Sequence, residues 1–394
     1  MRITEENKKW VSIWGNAMSI TDRTAATYGK DITFRYPVFV PFDGTAVRFT
    51  FDNFCGTEDA ELTCAYAAIA VGDESACEFA SYPVMFNGAK KVTLPAGKFV
   101  KSDPVSIPLH KGQKLFVSFY FGNFVELRSG VVATGPLSRG NYAFGYHVTD
   151  EQLPMDYTRN TNIYYFLSDV SVYTSEKNKA VICYGDSITA QAWPDYLALE
   201  FVDNAIERSV VRKAASGTRV LRQYSCATYR SYGLKGTIRF PHEIPMADGA
   251  DTVIIQQGIN DIIHPVGETE NPFRPWSDLP TAEELFTGLE YYVRQAREAG
   301  LRVYLGTLLP IEGWRTYAPF RDEIRSAVND FIRNTPLADG VIDFDKAVRD
   351  PLHPARFGKG YDSGDHLHPS EDAYRVMAKE AARVLNRAVR LPKE

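Results

Sequence analysis

The chain predicts two regions of different class. One is an α/β region in which a doubly wound parallel sheet is sandwiched by helices, and it is preceded by an all-β region of jelly-roll or sandwich type. Three observations point there. Apolar β-rich runs alternate with helically spaced segments from Val181 onward. Three of those runs end in glycine turns. Residues 1–175 instead show period-two alternation broken by turn residues at sandwich-like intervals.

In chain order, residues 47–51 (Val-Arg-Phe-Thr-Phe) and 115–121 (Leu-Phe-Val-Ser-Phe-Tyr-Phe) alternate as strands do. Phe42-Asp43-Gly44, Phe86-Asn87-Gly88 and Pro95-Ala96-Gly97 supply turns. The polar stretch Ser175-Glu176-Lys177-Asn178-Lys179 separates two β-rich segments, so the expected domains are 1–175 and 176–394. Beyond it, residues 180–184, 209–212 and 252–257 read as strands, followed by the turns at Gly185, Gly217 and Gly258. A parallel sheet puts its active-site loops at the carboxyl ends of its strands, and these turns stand there. Apolar spacing predicts helices over 192–201, 282–299, 321–333 and 370–385, the last opened by Pro369-Ser370-Glu371. Strands over 301–305 and 340–344 are entered through Ala299-Gly300 and Asp339-Gly340, glycine turns that stop the preceding helix.

The loops carry chemistry. Gly185-Asp186-Ser187-Ile188 and Asp365-His366-Leu367-His368 supply a serine, a histidine to take its proton and a carboxylate to hold that histidine in one tautomer. His366 and His368 compete for the base, because residues two apart on an extended stretch point differently. Only His368 stands three after Asp365. Attack on an acyl carbonyl also needs donors for the oxyanion. Gly217 of Ala215-Ser216-Gly217 lacks a Cβ and lets its N–H approach closely, and Asn260 of Gly258-Ile259-Asn260-Asp261 presents an amide. Plainer roles exist: Ser187 could cap a helix, Asp186 could be a first-turn acid, and Asn260 could cap a turn. His353, Asp362, Asp365, His366 and His368 could be metal ligands by type, but their spacing fits no helix-borne metal motif, so no metal and no cofactor are expected.

The ordered blocks GDS, a lone Gly, GxND and DxxH resemble the SGNH (GDSL-type) hydrolase superfamily over residues 180–390. The resemblance implies Ser187 as nucleophile, His368 as general base and acid, and Asp365 as its orienting carboxylate. It implies an oxyanion hole made by the Ser187 N–H, the Gly217 N–H and the Asn260 side chain. The usual Leu after the serine is Ile188 here. A β-sandwich placed ahead of such a domain resembles several carbohydrate acetylesterases.

Between Asp261 and the helix at 282 runs a long Pro-rich loop. On it His264, Arg274 and Trp276, with Trp314 on a neighbouring loop and Asp186 beside the serine, are the candidate substrate-binding residues. Trp10 and Trp14 suit either a domain interface or plain core, and most of the 13% aromatic residues alternate as core positions. A net charge of -5 argues against nucleic acid as a partner. The start of the chain has no apolar stretch, so neither signal peptide nor membrane span is expected. Five cysteines, Cys55, Cys64, Cys77, Cys183 and Cys226, at irregular spacing suit a reducing, cytoplasmic compartment. Sandwich edge strands leave room for a homodimer.

Three functions are compatible with this reading. The first is an esterase removing acetyl groups from plant-type oligosaccharides, such as mannan or xylan fragments. The second is a lipid- or thioester-directed acyl hydrolase, which calls for an apolar trough and lid. The third is a sugar-binding protein whose hydrolase half is inactive, against which the complete set of catalytic groups speaks.

Overall fold

The computed structural model describes residues 7–72, 76–154, 158–224, 230–269 and 272–390. Cys226 and Asn271 lie outside them.

Two large antiparallel sheets, with three small ones beside them, build the first half. One has five strands, with Gly44–Asp52 between Leu167–Ser175 and the pair Phe99–Lys101 and Val105–Leu109, and Lys8–Gly15 at its edge. The other has six, in the order Thr158–Thr161, Gly140–Phe144, Ile32–Phe39, Lys114–Phe121, Cys64–Ala70, Cys77–Val84. Phe119 of the second sheet meets Phe51 of the first edge-on at 5.3 Å and stacks on Phe34 at 5.4 Å, so the inward alternation in Lys114–Phe121 builds the shared core. The opposite face of that strand is covered as well. Phe116 packs with Ala68 and Cys77, and Ser118 accepts a hydrogen bond at 2.8 Å from the Nε of the buried Arg35. That guanidinium also donates to the carbonyls of His147 and Asp150, which holds the 145–151 segment over the sheet. A buried guanidinium is tolerated because carbonyl acceptors replace its water.

The second half is a parallel five-stranded sheet in the order Arg208–Ala214, Lys179–Gly185, Ala250–Gln256, Arg302–Gly306, Gly340–Ile342. The chain starts in the second position of this sheet, moves to the edge and then returns past its start. The carboxyl ends of the first three strands therefore flank a topological switch point. Helices Trp193–Asp203, Ala282–Glu298, Pro319–Asn334 and Glu371–Arg390 fall where their apolar spacing predicts. Ala282–Glu298 begins with a capping box, Thr281 and Glu284 each satisfying the other's backbone N–H, and it ends at Gly300 with φ 78°.

Two expectations change. Gly340 is not a helix-stopping turn: Pro319–Asn334 has already ended, and Gly340 opens a short strand. Its need for glycine is spatial, since a Cβ there would stand 2.7 Å from the Tyr304 ring. The strand stops at Ile342 because the Asp343 side chain accepts the Lys346 N–H and starts the helix Phe344–Val348. The helix Gly236–Glu243, which contains Pro241, was not expected, being short and weakly apolar. It is held by the buried Arg239, which pairs with Glu243 at 2.9 Å and donates to the Gly185 and Lys213 carbonyls at the ends of two strands.

The two halves share one continuous apolar core. Between them, Ser12 donates from its backbone to the Asp248 carbonyl at 2.8 Å, and the fully buried Lys213 ammonium donates to the Ser168 and Asn16 carbonyls. Trp14 stands at this junction, lining a narrow cleft with Pro194 and Arg212 and packing on Tyr164. Trp10 remains on its own sheet between Tyr173 and the Arg48 guanidinium. Among the described residues no helix is long and apolar enough to cross a membrane.

Candidate active site

Ser187 is the first residue of the short helix Ser187–Ala190, directly after the strand Lys179–Gly185. The helix is capped by Asp186, whose carboxylate accepts the Ile188 N–H at 3.0 Å. The turn is tight enough to require glycine before it: a Cβ on Gly185 would lie 2.3 Å from Thr189 Oγ1 and 2.5 Å from the Gln256 carbonyl oxygen. Ser187 Oγ is 2.9 Å from His368 Nε2, and His368 Nδ1 is 2.6 Å from Asp365 Oδ2. Residues 181 positions apart thus form one proton path.

The loop bearing the histidine is organised by its own carboxylates. Asp365 Oδ1 accepts the backbone N–H groups of Leu367 at 2.9 Å and His368 at 2.8 Å, and the Ser363 hydroxyl at 3.2 Å. Partial burial works against the charged form of Asp365, but the hydrogen bonds from His368 and Leu367 outweigh it and hold the carboxyl below its ordinary range. His366 has φ 64° and pairs with Asp362 instead, so the left-handed turn sends the two imidazoles to different carboxylates. His368 is the one that meets the serine.

The predicted oxyanion donors come together through hydrogen bonds between loops. Gly217 has φ 71°, and a Cβ there would stand 2.3 Å from the Tyr232 ring. Asn260, buried at the start of the helix Ile259–Ile263, donates one Nδ2 hydrogen to the Thr218 carbonyl at 3.0 Å. This ties its amide beside Gly217 and leaves a second N–H on the same nitrogen. Asp261 braces the arrangement by accepting the N–H groups of Val220 at 2.8 Å and Leu221 at 2.9 Å.

The five candidate substrate residues separate by depth. Asp186 is 1% exposed, and burial, with the Asp261 carboxylate adding to it, pushes its carboxyl up to about 7. It is a helix cap beneath the serine and does not line an open surface. His264 is also buried, stacked on Tyr232 at 4.7 Å, and burial followed by the guanidiniums of Arg219, Arg315, Arg274 and Arg321 holds it well below the ordinary imidazole range. Arg274, Trp276 and Trp314 reach the surface to differing degrees. Arg274 lies against Gly267, Trp276 is exposed and packs on Phe320, and half-buried Trp314 carries the Arg315 guanidinium 4.4 Å over its ring. Arg315 stands beside Trp314 on the rim where the sequence places both, whereas Tyr232 and Arg219 belong to no recognisable block and were not foreseen.

A parallel α/β sheet with a Ser–His–Asp path at the carboxyl ends of its strands defines the class of serine-dependent acylhydrolases. Residues 183–376 match the GDSL-like lipase/acylhydrolase family, and the second half of the chain is a domain of that family. Solved structures with a similar fold include a GDSL-like lipase from Bacteroides thetaiotaomicron, 18% identical with a TM-score of 0.37, covering 54% of this chain and 89% of that one. An acetylxylan esterase from Geobacillus stearothermophilus is 20% identical with a TM-score of 0.39, covering 53% of this chain and 95% of that one. A search of curated proteins gives no match.

Proposed function

We propose that this acylhydrolase is a serine esterase that removes acetyl groups from plant-type oligosaccharides, such as acetylated mannan or xylan fragments. The observation that carries the reading is the unbroken path from Ser187 through His368 to Asp365, with the Asn260 amide tied beside Gly217. Ser187 Oγ attacks the acetyl carbonyl while His368 Nε2 takes its proton. The negative oxygen is held by the Ser187 and Gly217 N–H groups and the free Asn260 N–H. His368 then returns the proton to the departing sugar hydroxyl, leaving acetyl-Ser187. Water, deprotonated by the same imidazole, releases acetate and restores the serine.

The choice of a hydroxyl-rich leaving group is supported by the residues grouped around Tyr232, the ring over Gly217. Arg315, Trp314, Tyr232 and Arg274 offer guanidinium donors and ring faces, which suit sugar hydroxyls and pyranose faces better than an acyl chain. The test is acetate release by wild type and Ser187→Ala on acetylated manno- and xylo-oligosaccharides, beside medium-chain aryl esters and a lysophospholipid. Release from one sugar class, absent in the variant, is expected. Turnover confined to lipid or long acyl chains would replace this reading with a lipid-directed one.

A further inference from the structure

Arg315 occupies a bridging place. Gly313, two residues before it, has φ 102° and lies against the histidine loop, where a Cβ would stand 2.6 Å from the His366 ring. Thr316, just after it, donates its hydroxyl to the Ile263 carbonyl at 2.8 Å, on the helix that carries Asn260. The segment thus spans from the loop of the general base to the helix of the oxyanion amide. From there the Arg315 guanidinium stands close to the Tyr232 hydroxyl, and the Tyr232 ring covers Gly217. One side chain therefore separates Arg315 from a predicted oxyanion donor.

Behind Tyr232 the positive charge continues. His264 stacks on it, and three further guanidiniums, from Arg219, Arg274 and Arg321, lie around that imidazole. Arg321 donates to the carbonyls of Ile262 and Pro265. Arg219 is fully buried, has the Tyr224 ring at 4.5 Å and Asp261 at 3.6 Å, and among the described residues receives no hydrogen-bond acceptor at any of its three nitrogens. Asp261 already accepts two backbone N–H groups. Among the described residues no carboxylate pairs with Arg315, which is exposed. A chain of net charge -5 has gathered four guanidiniums from three stretches of chain into one wall around His264, whose stacking partner Tyr232 covers Gly217.

We infer that this wall receives a carboxylate carried by the substrate, so that the preferred substrate is an acetylated acidic sugar, its carboxylate held by Arg315 and Arg274 while Ser187 works on a nearby acetyl ester. The inference rests on the esterase reading and narrows it. A guanidinium offers two parallel N–H donors that match the two carboxylate oxygens, and the buried charges of Arg219 and Arg321 add a field that water screens poorly.

The test measures binding without turnover. Calorimetry compares oligogalacturonate with a neutral galactan oligomer of the same length on wild type, Arg315→Gln, Arg315→Lys and Arg274→Gln. Wild type should favour the acid by about tenfold or more, with the preference shrinking as salt rises. Arg315→Gln should weaken acid binding by about 10–100-fold, the cost of one charge-assisted contact, and Arg315→Lys by less. Equal affinity for the two oligomers in wild type, no binding of the acid, or an undiminished preference in both glutamine variants would overturn the inference. Hydrolysis of an aryl acetate by wild type but not by Ser187→Ala is scored separately, so a failed esterase reading is distinguishable from a failed acid preference.

Discussion

Replacing Asp365 by Asn should damage catalysis more than replacing it by Ala. The reason lies in how the carboxylate is shared. Its Oδ1 accepts three donors, the N–H groups of Leu367 and His368 and the Ser363 hydroxyl, whereas Oδ2 alone meets His368 Nδ1 at 2.6 Å. In Asp365→Asn those three donors fix the amide oxygen in the Oδ1 position, because an NH₂ group there would confront them. The NH₂ group then falls at Oδ2 and donates to His368 Nδ1. That holds the imidazole proton on Nε2, the nitrogen 2.9 Å from Ser187 Oγ that must be free to accept. The wrong tautomer costs about 10⁴-fold in kcat, or about 5.5 kcal/mol of barrier. Asp365→Ala imposes no tautomer. It removes the charge-assisted hydrogen bond to His368, worth about 2–3 kcal/mol, and the three contacts at Oδ1, and because the carboxylate is 42% exposed, water takes its place at these donors, for a loss of about 30–150-fold. The assay is kcat on an aryl acetate for wild type and both variants, with circular dichroism confirming the fold. An Asn variant as active as the Ala variant, or more so, would refute the reasoning.

Ser187→Ala should abolish turnover and leave the melting temperature near wild type, as seen by paired kinetics and calorimetric scans. Asn260→Ala should lower kcat by about 10²–10³-fold through the lost oxyanion donor, and an unchanged kcat would remove it from the hole. Gly217→Ala should reduce both stability and activity, because a methyl at φ 71° would collide with Tyr232 at 2.3 Å; a thermal melt and a single progress curve check this. Asp186 is a buried acid whose pKa of about 7 lies above its ordinary 3.8, so the folded state binds more protons than the unfolded one between those values. Stability from this group is therefore fully present below about pH 4 and falls as pH rises to about 7, by on the order of 4 kcal/mol. Asp186→Asn, which keeps a capping oxygen and cannot ionise, should flatten that window of a stability-versus-pH curve. Asp169, Asp195 and Asp261 are raised by burial in the same sense, so a residual slope is expected.

Much of the hydrolase half is legible in the chain because it rests on local periodicities. The helix Ala282–Glu298 follows from apolar residues recurring at one face and from Thr281 and Glu284 at its start, neither of which needs the rest of the molecule. The same holds for the strands ending at Gly185 and Ala214, whose apolar runs and glycine turns are contiguous in sequence. The helix Gly236–Glu243 was illegible for the converse reason: a short segment containing a proline is held by Arg239 reaching two strand ends far away in sequence. The β-half was legible as a class but not in its facing, since Phe116 and Ser118 look like outward positions until Arg35 and the 145–151 segment cover them.

Residue order alone thus determined the candidate nucleophile, base, carboxylate and oxyanion donors, because each sits in a short block whose chemistry and spacing are local. Packing alone decided their surroundings. It buried Asp186 as a cap, tied Asn260 to Thr218, laid Tyr232 over Gly217 and drew Arg219, Arg274, Arg315 and Arg321 around His264. Apart from the Asp186 cap, those relations join residues about ten to sixty positions apart. Only chain closure in three dimensions sets such distances, because no period of 2 or 3.6 residues carries information about them.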